Sequence, residues 1–415
     1  MATGLRIGIV LSGTAPAMTL MSGAMLAFAE RNVTFDVIST TGVGGLIGLL
    51  SLAPRGQSPR KALEALPNLY VSDWIHRFFP VNFKTFHKHG PFAPRFYEAR
   101  KKLPRFEVAP DEPAELRRLF NDWVQLWATA LTPTSLDIQH KGLMSHVPLV
   151  DDLVDFDKLK AAAGATTFYL NAFSLWTRRL RIFDNQTVTP DVYNGAQAMF
   201  MLFPPVRIGP DPATGVGSDL LTTGATRDPT GLQAIWTRRP QLDAVLVLDP
   251  VTQSFWREPE NAYDAFQLML MNPIATLQQL MLAFYSEVDH NANQKPWPAP
   301  ALAGVPVPRL YGIPLPIEPS YYPRMLDWTH TNAITLQKIG YEAARPFATA
   351  LATASTDVER MSFLESFRLF QTLLQPRSRQ FLRLFAPTFE HFEHFERFIH
   401  VARGFGEVHE SAVAP

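Results

Sequence analysis

The stretch FDVISTTGVGGLIG, Phe35 to Gly48, has the order of a strand, a glycine-bearing turn and an apolar helix. A sharp turn of this kind lifts one side chain above a sheet, and in acyl transfer that side chain is the nucleophile. Here the apex is Gly42, which has nothing to lift. Glycine suits the position sterically, because an elbow residue takes a positive φ at no cost to a glycine. The hydroxyls nearest in sequence are Ser12, Ser39, Thr40 and Thr41, and the carboxylates flanking the later TTGA run are Asp219 and Asp228. A relocated nucleophile would come from the first group and its carboxylate from the second. Against that, Ser39 and Thr40 suit pairing with backbone where a strand ends, and Asp228 before Pro229 suits a turn.

Two other clusters carry titratable groups. FEHFEHFERFIH puts Glu390 and His394 on one helical face but lacks the H-E-x-x-H order. Phe389, Phe392, Phe395 and Ile399 form an apolar stripe there, so a packed or dimerising helix is expected and no metal. His87 and His89, with Lys84 and Lys88, lie in an aromatic basic loop that suits phosphate head groups and solvent equally. The chain has no cysteine, which excludes disulfides and thiolate chemistry, and no cofactor is expected.

The elements that must hold the turn read as the opening of a sheet with helices on both faces. Residues 7–29 are uncharged and imitate a membrane span, but Ser12-Gly13-Thr14-Ala15-Pro16 interrupts any continuous helix. The run divides into a buried strand, Ile7 to Leu11, and a helix with Met18, Met21, Met25 and Phe28 at helical spacing. One arginine is too little for the basic start of a signal peptide. Residues 58–69 predict another helix.

About residues 70–145 read as an insertion covering part of the sheet. Its amphipathic helix has Leu116, Leu119, Phe120, Trp123, Leu126, Trp127 and Leu131 on one face, the face expected to pack. Strands resume at Thr166 to Phe173 and Leu180 to Phe183. The apolar core Ala244 to Leu248 suits a strand buried on both sides. A Pro-rich stretch at 295–319 reads as an extended strap rather than a ligand for a proline-recognising module. The expected division is an α/β domain at 1–255 and a mainly helical region at 256–415.

Composition narrows the partners. Of 415 residues, 38 are basic and 38 acidic, so nothing favours nucleic acid. The 30 phenylalanines and 8 tryptophans call for a large apolar interior, an apolar ligand, or both.

Three motifs in order, LSGTAPAMTLMSG, VISTTGVGG, and AMFMLFPPV with LLTTGATRDP, resemble the patatin-like phospholipase family over roughly residues 5–255. The resemblance implies a three-layer α/β/α sandwich. It places the family's first elbow glycine on Thr40, the nucleophilic serine on Gly42 and the closing glycine on Gly44. The catalytic aspartate falls on Thr223, ahead of Gly224 and Ala225. The oxyanion glycines fall on Gly13, Thr14 and Ala15, and the loop arginine on Ala17. Each chemical component is therefore missing or altered. Gly42 has no hydroxyl, Thr223 accepts no proton near pH 7, and Pro16 has no amide hydrogen.

The resemblance implies a catalytically impaired protein of lipid metabolism. It would bind a fatty-acyl or lipid ligand about Gly13, Thr14, Thr41, Gly42, Val43, Thr223 and Gly224, or regulate an active enzyme. The alternative is an active lipid acyl hydrolase or esterase, or another reaction in the same pocket, with a relocated nucleophile. The partners it implies are a lipid small molecule, a membrane surface, a second copy of the chain and an active homologue. The location expected is cytoplasmic or peripheral to a membrane.

Overall fold

Runs of aliphatic and β-branched residues form the strands of an eight-stranded sheet in the computed structural model. The described residues are 4–13, 17–90, 93–100, 115–132, 141–146, 148–209, 218–248, 257–293 and 307–369. In chain order the strands are β1 Ile7–Leu11, β2 Val37–Thr40, β3 His87–Lys88, β4 Met144–Ser145 and β5 Thr167–Ser174. They continue with β6 Leu180–Asp184, β7 Val206–Ile208, β8 Asp219–Thr223, β9 Ala244–Leu248 and β10 Arg309–Gly312. The sheet order is β10-β9-β1-β2-β5-β8-β7, with β6 also on β5, while β3 and β4 pair separately. From β10 to β5 every neighbour is parallel; β6, β7 and β8 run antiparallel.

The chain is therefore a mixed α/β fold with helices on both faces of a mostly parallel sheet. The inner strand β1 is buried throughout, as is β9. Ile7, Ile9 and Leu11 join the main core with Met21, Phe28 and Leu49. Those residues lie on the helices Met18–Glu30 and Gly44–Leu52. On the opposite face Gly8 meets Leu242, and Ser39 reaches Gly231, which caps the helix Leu232–Arg238. The helices Met18–Glu30 and His330–Thr353 touch backbone to backbone. A Cβ on Gly23 would lie 1.9 Å from Gln337 O, and one on Gly340 would lie 1.9 Å from Leu20 O.

The insertion departs from expectation. Its helix Glu115–Leu131 turns only Leu119 and Leu126 inward, against Val71, Ile75 and Phe83. The residues buried on its inner side are the polar Asn121, Asp122 and Gln125. An ion pair anchors them: Lys84 Nζ lies 2.6 Å from Asp122 Oδ1, with both side chains 2% exposed. Ser72 adds its backbone N–H at 2.7 Å and its hydroxyl at 2.6 Å to Asp122 Oδ2. Ion pairing, not apolar packing, sets this helix's orientation.

The described half of the Pro-rich stretch supplies a strand rather than a strap. β10 pairs only with β9 within the sheet, and Pro308 and Pro314 lie just outside it, as proline permits at a sheet edge. Residues 294–306 and the segment FEHFEHFERFIH lie outside the described residues. By compactness Met1–Arg368 forms one unit and Leu369–Pro415 a second. Among the described residues no helix is long and apolar enough to cross a membrane.

Candidate functional site

The register of β5 brings the two distant motifs together. Leu170 pairs with Phe183 of β6 and with Thr40 of β2; Ala172 pairs with Arg181 of β6 and with Thr223 of β8. With β6 occupying one edge of β5, β2 and β8 must share the other, meeting end to end opposite Asn171. The turn at Thr41-Gly42 and the turn at Thr223-Gly224 thus face each other. β1 lies between β2 and β9, so the switch point where open α/β sheets bind ligands beyond their strand ends is between β1 and β9, beside this junction rather than at it.

The elbow forms as its glycines require. Gly42 has φ +51°, a left-handed conformation. A Cβ there would meet one described group within 4 Å, Gly13 O at 3.3 Å. Gly44 begins the following helix against β1, where a Cβ would lie 2.1 Å from Leu11 O. Val43 precedes that helix, and its side chain packs against the core. Among the described residues beyond its chain neighbours, the group nearest the apex is therefore a carbonyl acceptor. Stabilising an oxyanion takes donors.

The neighbouring hydroxyls are largely committed to backbone. Ser12 Oγ donates to Leu248 O at 3.2 Å and accepts from Gln278 Nε2 at 3.0 Å. Ser39 Oγ donates to Gly231 O at 2.6 Å, and Thr40 Oγ1 to Tyr169 O at 2.8 Å. Thr41 Oγ1 is buried and has no hydrogen-bond partner among the described residues. Thr223 caps a short turn, accepting from Ala225 N at 3.3 Å, and its own N–H donates to Ala198 O at 3.0 Å.

The flanking carboxylates are structural. Asp219 accepts from Ser174 Oγ at 2.7 Å, Arg181 at 2.9 Å and Leu220 N at 2.7 Å. Burial opposes its charge, but these donors hold it below the ordinary carboxylate range. Asp228 is fully buried, with Thr230 Oγ1 at 2.6 Å and the N–H groups of Gly231 and Gln233 at 2.9 and 3.0 Å. Burial pushes its pKa upward despite them. Each completes a turn or strand end, and among the described residues no hydrogen bond joins either to a hydroxyl of the elbow.

Two residues at the junction escape motif reading. Asn171 donates from Nδ2 to Asp228 O at 3.0 Å and Oδ2 at 3.1 Å, while its buried Oδ1 has no partner among the described residues. A Cβ on Gly224 would lie 2.2 Å from that Oδ1, so the two turns need Gly224 as much as Gly44. Gln197 donates to Gly42 O, and the next carbonyl, Ala198 O, accepts from Thr222 and Thr223. One helix end therefore ties both motifs. A lone asparagine inside the apolar strand TFYLNAF was a visible signal; nothing in the sequence marks Gln197. Of the expected ligand residues, Gly13, Thr41, Gly42, Thr223 and Gly224 converge here, and Thr14 lies outside the described residues. Among the described residues no group of three or more metal-ligating side chains could hold a metal ion.

No family model and no curated protein matches the chain. Among solved structures it is similar to VipD from Legionella pneumophila, with a TM-score of 0.32 and 11% identity. The match covers 80% of this chain and 66% of that one, so the chain spans just under two thirds of that protein's length. A likeness of that depth assigns no residue a role.

Proposed function

We propose that the protein is a catalytically impaired relative of the patatin-like lipases that binds a lipid or fatty-acyl ligand at the strand ends of its sheet, or regulates an active enzyme from that surface. The observation that carries this reading is the apex at Gly42: the elbow backbone is built at φ +51° with no side chain on it, and among the described residues beyond its chain neighbours the one group a Cβ there would meet within 4 Å is Gly13 O. Losing the nucleophile removes nearly all activity above the background from binding and oxyanion stabilisation. The lipid class rests on the sequence resemblance.

The competing reading, a relocated nucleophile, rests on Thr41, whose buried hydroxyl lacks a partner among the described residues. Hydrolysis of short- and long-chain p-nitrophenyl acyl esters separates the two. The natural protein is expected to give no turnover above buffer, with co-purified lipid detectable by native mass spectrometry. Turnover that Thr41→Ala abolishes would establish the competing reading instead.

A further inference from the structure

The insertion carries an amphipathic helix mounted inside out. On Glu115–Leu131, Leu116, Phe120, Trp123, Trp127 and Leu131 form one stripe at helical spacing, and all are exposed, from 40% at Trp123 to 79% at Leu116. Its opposite side, Asn121, Asp122, Gln125 and the nearby Thr132, is buried. Globular helices face the other way. An earlier helix of the insertion, Asp73–Phe78, is tied to this one through Ser72 and Asp122, and it also turns aromatic residues outward. Trp74 and Phe78 are 58% and 60% exposed, and their rings meet edge to face at 5.2 Å.

We propose that this face docks on the surface of a lipid bilayer bearing anionic headgroups, with the helix Glu115–Leu131 lying in the plane of the interface. Three observations select a bilayer over a protein partner. The stripe offers only indole N–H groups as polar atoms, whereas a protein interface carries about one hydrogen bond per 100–200 Å². Tryptophan and phenylalanine over aliphatic neighbours match the headgroup boundary, where ring bodies bury and indole N–H groups stay wet. The rim is cationic: Arg77 and Arg117 are exposed on the two helices, and Lys88 Nζ sits at Ala130 O near the C-terminal end. Asp73, the exposed acid of the first of these helices, accepts from Thr331 N–H at 3.1 Å. A helix of 17 residues spans about 25 Å, too short to cross a bilayer but long enough to lie along one.

The polar inner side keeps the stripe outward. Rolling the helix inward would expose Asp122 and strip Lys84 of its carboxylate, leaving a buried cation unpaired. The fold thus holds an apolar stripe in water by an ionic anchor.

The test is flotation of the full chain with vesicles of phosphatidylcholine alone and with phosphatidylserine added. The natural protein is expected to float with the anionic vesicles, and Phe120→Ser/Trp127→Ser to partition at least about tenfold more weakly. Because both side chains are exposed, the variant should keep its melting temperature, which separates lost docking from lost folding. Arg77→Ala/Arg117→Ala should reduce partition into anionic vesicles and leave any partition into neutral ones unchanged. Equal flotation of the natural protein and the serine variant would overturn the proposal. So would natural protein that stays unbound, or that forms a dimer in sedimentation which the serine variant dissociates, since the face would then belong to a second copy.

Discussion

At the residue scale, the candidate site is defined by what its glycines exclude. Gly42 and Gly44 are two positions apart and make different demands: one needs a left-handed backbone, with Gly13 O 3.3 Å from where a Cβ would sit, the other an absent Cβ. Gly42→Ala should therefore cost about 1 kcal/mol, the strain of a side chain at positive φ. Gly44→Ala drives a methyl into Leu11 O and should cost about 3 kcal/mol. Urea denaturation of the two variants checks the order; equal losses would mean that the turn relaxes freely. The elbow was legible in the sequence because strand, glycine and apolar helix follow one another within a short run. Its junction with Thr223-Gly224 was legible only through family resemblance, since strand register, not sequence proximity, makes them meet. Gln197 was invisible, because a glutamine at a helix end carries no pattern.

At the scale of elements, periodicity found the helix Glu115–Leu131 and assigned its direction wrongly. The hydrophobic stripe is real, but the buried pair Lys84–Asp122 outweighs it in orienting the helix. Removing one member leaves the other charged and buried, so Lys84→Met should cost about 3–5 kcal/mol. Lys84→Met/Asp122→Leu should recover much of that loss, because neither charge then remains. Thermal melts of the single and double variants measure this, and a double variant no more stable than the single would refute it. Sequence periodicity could not supply the answer, because Lys84 and Asp122 lie on separate elements of the insertion. The Pro-rich stretch misled for a related reason. Prolines on either side of Arg309–Gly312 suggested a strap, yet an edge strand needs hydrogen bonds on one side only.

At the scale of the whole molecule, the α/β class followed from alternating strand and helix patterns and the fully apolar core of β9. The tie between insertion and core did not, because it runs through buried polar groups. Burial first, then Arg118 and Lys84, hold His330 well below the ordinary histidine range, at about 4, against the smaller pull of Asp73 and Asp122. Arg118 Nη1 lies 2.9 Å from His330 Nδ1, where a neutral imidazole accepts. The unfolded chain therefore takes up the proton first as pH falls. The stability from neutral His330 is complete above about pH 6.5 and is lost toward pH 4, on the order of 2–3 kcal/mol. Asp327, pushed up to about 6 by burial, acts in the opposite sense over a similar range. Comparing His330→Asn with the natural protein isolates the histidine. The variant should lose less stability between pH 7 and pH 4, and parallel profiles would exclude this role. The backbone contact between the first helix and His330–Thr353 has a consequence for biogenesis. Ser22 and Gln337, hydrogen-bonded across that contact, lie 315 residues apart. At about 5–20 residues per second, the ribosome delivers the second helix tens of seconds after the first. Until then the side of Met18–Glu30 that carries Leu20 and Gly23 lacks the helix that covers it, so that part of the nascent chain must stay shielded until residues 330–353 have been made.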